Sequence, residues 1–97
     1  MSKARLLHHQ KFVFPDGAIQ EMKLWQLPVK TVDRPHGLKY SLHYGLADGT
    51  GLVRYDNETG KGDHRHIGSR EEPYRFSTVE NLVADFLTDV DVARGDG

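Results

Sequence analysis

The stretch LKYSLHYGL, residues 38–46, decides the fold because apolar and polar side chains alternate along it. Leucine or tyrosine stands at each even-numbered position, and the intervening positions are polar or glycine. A period of two residues is typical of a β-strand that has one face on the core and one face in solvent. We therefore predict a half-buried strand here, and the neighbouring segments are interpreted outward from it.

Turn signals on both sides of this strand predict antiparallel partners. Asp48-Gly49 turns the chain back into a strand at residues 52–56. Upstream, Pro15-Asp16-Gly17 separates two apolar-rich segments, residues 4–14 and 18–27, which predicts a β-hairpin. A short fifth strand is possible at residues 64–67. The sequence thus predicts an antiparallel β-meander of four or five strands.

A helix is predicted after the strands, at residues 77–91, where apolar residues recur at helical spacing. Ser77 and Glu80 have the spacing of a capping box at its first turn. A meander packed against one C-terminal α-helix is an α+β fold. We expect a single domain over residues 1–92 and a disordered tail at 93–97, since 97 residues suit one modest core.

Composition narrows the class of protein. The chain has 13 Lys plus Arg against 14 Asp plus Glu and no cysteine. This balance argues against a general electrostatic binder of nucleic acid, and the lack of cysteine excludes disulfides and thiolate metal sites. No apolar run suits a signal peptide or reaches the ~20 residues of a membrane span. We expect a cytoplasmic protein without membrane contact.

The segment YDNETGKGDHRHIGSREEPYR, residues 55–75, concentrates titratable side chains between glycines and is the candidate site. If Ile67 points into the core, strand alternation places Arg65 on the same side and sets His64 and His66 together on the other, wetter side. Metal-free RNA cleavage needs such a pair as acid and base, with cations on the phosphate. The proposed catalytic residues are Lys61, Asp63, His64 and His66, and the proposed substrate-binding residues are Asp56, Arg65, Arg70 and Tyr74.

Each of these residues has a narrower role in that hypothesis. Lys61 and Arg70 would contact phosphate, and Asp63 or Asp56 would orient an imidazole. Tyr74 would stack on a base or donate a hydrogen bond. No metal and no cofactor is required by this interpretation.

Other interpretations of the same segment stay open. His-x-His on a strand could ligate a metal, with Asp63 or Asp56 as the third ligand. Gly60-Lys61-Gly62 could cradle a phosphate, although it lacks the full phosphate-loop spacing. The whole segment could also be a surface turn whose arginines and glutamates form ion pairs.

The chain resembles the TumE family of bacterial toxin–antitoxin toxins. The resemblance is carried by Tyr55-Asp56-Asn57-Glu58, Gly60-Lys61-Gly62-Asp63-His64, His66, Glu71-Glu72-Pro73-Tyr74, Phe76 and Asp85-Phe86, with Trp25-Gln26-Leu27-Pro28 and Lys39-Tyr40 upstream. It implies a small toxin that a helix-turn-helix antitoxin neutralises, with DNA contacted only through that antitoxin. Arg54 stands where we expect a small residue in relatives.

Together these features predict a toxin that inhibits translation by cleaving RNA, as a metal-independent endoribonuclease with a histidine pair. The alternatives are a binding module for nucleic acid or protein without enzymatic activity, and a metal-dependent enzyme. An exposed sheet edge makes a homodimer possible.

Overall fold

The computed structural model describes residues 3–32, 34–58 and 62–95 and contains six antiparallel strands followed by one helix. The elements are β1 (Arg5–Val13), β2 (Ile19–Gln26), β3 (Leu38–Gly45), β4 (Gly51–Asp56), β5 (His64–Ile67), β6 (Arg70–Pro73) and α1 (Val79–Ala93). The α+β class is confirmed. The predicted count of four or five strands is wrong, because the sheet has a sixth.

Every strand pairs with the next strand along the chain, in the order β1-β2-β3-β4-β5-β6. The sixth strand begins after a turn at Gly68, whose φ of +61° suits glycine. Its sequence, Arg-Glu-Glu-Pro, carries no apolar alternation, so periodicity does not detect it. Polar contacts with β5 hold it instead, since Glu72 forms an ion pair with Arg65 and Glu71 Oε2 lies 3.2 Å from His66 Nε2.

One face of the sheet forms the core together with α1. The helix buries Leu82, Phe86 and Val90, and the ring of Phe86 meets that of Tyr55 edge to face with centroids 5.8 Å apart. Tyr55 and Val53 of β4 are almost fully buried on this face. β3 points Tyr40, Leu42 and Tyr44 at this core, as predicted, whereas Leu46 lies beyond the end of β3 and is 40% exposed.

The helix begins one residue later than the capping-box prediction. Its N-cap is Thr78, whose side chain accepts a hydrogen bond from the Asn81 backbone N–H, so the predicted Ser77 cap is wrong. Ser77 instead accepts from the Asn81 side-chain amide. Adjacent hydroxyls compete for the same role, and spacing alone does not choose between them.

The end of α1 is tied to the sheet by Arg94. Its guanidinium donates to the Tyr44 hydroxyl at 2.9 Å and lies 3.8 Å from the Phe14 ring centroid. Arg94 belongs to the predicted tail at 93–97, and the domain boundary at residue 92 stays a prediction. No helix within the described residues is long and apolar enough to cross a membrane.

The other face of the sheet is not covered by α1 or by any other element of the described chain, and we call it the open face. The strand registers place Trp25 and Lys39 side by side on it, with the Lys39 ammonium 5.4 Å from the Trp25 ring centroid. Trp25 lies outside the core, because Leu24 and Met22 on the same strand point to the helix side.

Candidate functional site

Two neighbouring rows of polar side chains cross the open face. The first row runs through His43, Arg54, His66 and Glu71 on β3 to β6, each opposite the next in the strand register. The second row places Asp56 opposite His64. Cross-strand neighbours on one face lie about 4.5–5.5 Å apart at Cβ. Charged and imidazole side chains from four strands therefore meet at one place on the sheet.

Asp56 and His64 form a buried pair, with side chains only 10% and 7% exposed. Asp56 Oδ1 lies 2.5 Å from His64 Nε2. The alignment is not that of a hydrogen bond, so Asp56 Oδ1 has no hydrogen-bond partner among the described residues. His64 Nδ1 meets the Gly62 carbonyl at 3.0 Å and donates to it, since a carbonyl only accepts.

Arg54 joins this pair to His66. Its Nε lies 3.2 Å from Asp56 Oδ2, and its Nη2 lies 3.1 Å from His66 Nε2. The guanidinium is half exposed, so part of it remains in contact with solvent. We name Arg54, Asp56, His64 and His66 the Arg54 cluster. It holds a fixed cation and two imidazoles whose ring centroids are 5.3 Å apart.

His66 has a partner for either of its protonation states. When Nε2 carries a lone pair, Arg54 can donate to it, because a guanidinium has only donors. When Nε2 carries a proton, Glu71 Oε2 at 3.2 Å can accept it. A side chain that gains and loses a proton without losing its neighbours is suited to general acid–base chemistry.

Three side chains of the cluster could also hold a metal ion. One ligand atom from each of Asp56, His64 and His66 lies within 4.8 Å of the other two. Two of these three side chains, Asp56 and His66, already contact the Arg54 guanidinium. A divalent cation would have to displace or repel that positive charge, so the arrangement favours an anion beside Arg54 over a metal.

The structure brings together three of the eight residues that the sequence proposed for the site. His64 and His66 stand side by side, as predicted, with Asp56 beside them. The expected wet environment holds for His66, at 22% side-chain exposure, but His64 is buried. Lys61 lies outside the described residues.

Arg65, Arg70 and Tyr74 lie on the opposite side of the sheet, toward the helix. Arg65 contacts Tyr55, Glu72 and Asp89, and the Arg70 Nε lies 3.6 Å from Glu72. The Tyr74 hydroxyl donates to Asp85 of α1 at 2.6 Å. Arg65 alternates with His64 and His66 along β5, and Arg70 lies opposite Ile67, which shares the face of Arg65. These three residues therefore do not share a site with the histidine pair.

Asp63 does not orient the histidine pair. Its carboxylate accepts a 2.7 Å hydrogen bond from the Tyr40 hydroxyl and lies 3.1 Å from His36 Nε2. Burial first, and then the hydrogen bond to Asp63, raises the pKa of Tyr40 well above its usual range. Asp63 thus anchors the start of β5 to the core, and the carboxylate beside His64 belongs to Asp56.

Arg54, His43 and Trp25 were not among the residues predicted for the site. Arg54 lies on β4, next to β5, and His43 lies one strand further away on β3; only the strand register places Arg54 between His43 and His66. On β4, the exposed Arg54 stands between the buried Val53 and Tyr55. That alternation is the signal that could have placed Arg54 on the same face as the histidines.

The fold and the Arg54 cluster define a small α+β protein that packs one sheet face on a helix and displays polar chemistry on the other. The family model described as Toxin TumE matches residues 3–94. The chain therefore belongs to the TumE toxin family, as the sequence resemblance predicted. No curated protein and no solved structure matches it. Membership of a toxin family implies an antitoxin partner in general.

Proposed function

We propose that this toxin inhibits translation by cleaving RNA on the open face of its sheet, without a metal ion. The observation that carries the proposal is Arg54, whose guanidinium contacts both Asp56 and His66 at a half-exposed position. A fixed cation beside an imidazole can bind a phosphodiester and stabilise the negative charge that grows on it during cleavage. Translation takes place in the cytoplasm, so the toxin would act there.

Cations and an aromatic side chain on the open face support an RNA substrate. Four acidic residues, Glu80, Asp85, Asp89 and Asp91, lie along the helix, which would repel phosphate. The open face carries Lys23, Lys39 and Arg54 as well as Glu21, Asp56 and Glu71, and a cleft beside the cluster is lined by Trp25, Lys39 and Asp56. Aromatic side chains with neighbouring cations are typical of surfaces that stack single-stranded bases and hold their phosphates.

Each member of the Arg54 cluster has a role in this reaction. His66 removes the proton from the 2′-hydroxyl, and the resulting imidazolium faces Glu71. Arg54 holds the phosphate. His64 and Asp56 are positioning residues, because their side chains are buried and both His64 ring nitrogens are engaged. Asp56 thereby fixes the guanidinium that faces the substrate.

The test is incubation of purified, antitoxin-free toxin with total cellular RNA, with and without EDTA. Arg54→Ala and Arg70→Ala form a matched pair, because both arginines are at least half exposed but lie on opposite faces of the sheet. We expect EDTA-resistant cleavage that Arg54→Ala lowers about 10²–10³-fold and Arg70→Ala leaves intact. Circular dichroism would verify that both variants are folded.

Three results would contradict the proposal. Equal losses in the two arginine variants would mean that the open face is not the site. Cleavage abolished by EDTA and restored by a divalent ion would assign Asp56, His64 and His66 to metal binding. Intact RNA in every lane, with toxicity retained in cells, would favour a binding module.

The proposed site also indicates where the antitoxin would bind. We propose that a helix-turn-helix antitoxin neutralises the toxin by covering the Arg54 cluster, so that DNA is contacted only through the antitoxin.

We also propose a homodimer through β1, an edge strand whose nine residues are all exposed, among them Leu6, Leu7, Phe12 and Val13. Light scattering on the free toxin tests this, and a monomer at micromolar concentration would contradict it.

A further inference from the structure

We propose that His43 is the second proton-transfer residue of this site, the general acid that protonates the leaving 5′-oxygen. This inference rests on the proposed RNA cleavage and assigns a residue of β3 that the candidate segment at residues 55–75 does not contain. In the strand register, Arg54 has His43 of β3 opposite it on one side and His66 of β5 opposite it on the other.

The three side chains line one cleft on the open face. Neighbouring strands are about 4.7–4.9 Å apart, so β3 and β5 are separated by about 10 Å with Arg54 between them. A phosphodiester held on Arg54 would therefore have one imidazole on each side. In-line cleavage needs that geometry, because the attacking 2′-oxygen and the leaving 5′-oxygen lie on opposite sides of the phosphorus.

The surroundings of His43 leave its ring nitrogens available. No hydrogen bond or ion pair engages its side chain among the described residues, and the facing Glu21 is held by His9 at 2.7 Å. Two paired glycines flank the ring: a Cβ at Gly45 would lie 3.0 Å from His43 Cε1, and one at Gly51 would lie 3.5 Å from its Nε2. Larger residues at these positions would crowd the nitrogen that has to reach the substrate.

His64 is less suited to this role than His43. Its side chain is only 7% exposed, its Nδ1 is held by the Gly62 carbonyl and its Nε2 faces Asp56. A general acid must place its proton within hydrogen-bond reach of the leaving oxygen. His64 would have to break the Asp56 contact first, whereas His43 lies in the partly exposed cleft.

The reaction balances with these two imidazoles. His66 Nε2 exchanges its contact with Arg54 Nη2 for the 2′-hydroxyl and takes its proton, and the 2′-oxygen forms a bond to phosphorus. The bond from phosphorus to the 5′-oxygen breaks, and protonated His43 donates its proton to that oxygen. The products are a 2′,3′-cyclic phosphate and a 5′-hydroxyl, with His66 protonated and His43 neutral. Exchange with water then restores both side chains.

The experiment compares two dinucleotide substrates, one with the natural 5′-oxygen and one with sulfur in its place. Sulfur leaves without protonation, so it bypasses a general acid. We expect His43→Ala to lower cleavage of the natural substrate about 10²–10⁴-fold and to have little effect on the sulfur substrate. His66→Ala should lower cleavage of both. His43→Gln preserves the size of the side chain, and His9→Ala is the control for loss of an open-face imidazole away from the cleft.

Each outcome decides one question. Cleavage of the natural substrate by His43→Ala and His43→Gln within twofold of the unmodified toxin would overturn the assignment while leaving the proposed function in place. An equal loss on both substrates would give His43 a binding role and also overturn it. Failure of the unmodified toxin to cleave either substrate or total cellular RNA would overturn the proposed function and this inference together.

Discussion

Replacing Asp56 by alanine is expected to lower the free energy of unfolding by about 3 kcal/mol, because the substitution leaves His64 buried without its partner. The magnitude follows from the burial of the pair, with side chains 10% and 7% exposed. Removing one member of a buried ion pair costs about 3–5 kcal/mol when the other stays charged. With a neutral imidazole, the unmet polar group costs about 1–3 kcal/mol.

The assay is denaturant unfolding at pH 7 on a double-mutant cycle of Asp56→Ala, His64→Ala and the double variant. Such a cycle isolates the interaction between two residues in contact, which is about 0.5–3 kcal/mol for coupled pairs. We expect a coupling near the upper end. Asp56→Asn should lose only about 1 kcal/mol, since its amide can still hydrogen-bond the imidazole.

A coupling below 0.5 kcal/mol would refute the reasoning, because the two side chains would then not depend on each other for stability.

Three further predictions concern the scaffold. Phe86→Ala should cost about 3–5 kcal/mol in denaturant unfolding, because this fully buried ring fills the contact between α1 and Tyr55. A loss below 1 kcal/mol would mean that the helix is not packed as described. Thr78→Ala should cost about 0.5–2 kcal/mol and Ser77→Ala less, and the reverse order would restore the capping-box prediction. Burial raises the pKa of Tyr40 and of Tyr55 above the usual value of about 10. Stability should therefore be fully present below about pH 10 and fall as pH rises further, by up to about 1.4 kcal/mol per pH unit for each tyrosine, because the unfolded state loses its protons first. Unfolding at pH 9 and 11 checks this, and Tyr40→Phe should flatten the decline.

Most of the fold could be predicted because local sequence patterns determine it. The alternation at residues 38–46 and the glycine-containing turns define β1 to β4. β6 was not predicted because polar contacts with β5, rather than apolar burial, hold its residues. The N-cap was misplaced because Ser77 and Thr78 are adjacent and both carry a hydroxyl that can accept from a backbone N–H.

The site was predicted less completely, and the reason is physical. Side-chain alternation along β5 correctly predicted that His64 and His66 lie side by side, because alternation depends only on neighbours along one strand. Arg65 and Arg70 were assigned to the substrate by proximity in sequence, but the pleat turns them to the helix side. Arg54 and His43 enter the site through the register of three strands, which no single segment contains.

The unbroken meander order has a consequence for how the toxin folds. Because each strand pairs with its immediate successor, the sheet forms from hairpins and needs no pairing between strands distant in sequence. Domains dominated by such short-range contacts fold faster than sandwiches and barrels, whose chains must first close long loops. A toxin built this way is expected to recover quickly from transient unfolding, with little time for its exposed edge strand to pair with the wrong partner.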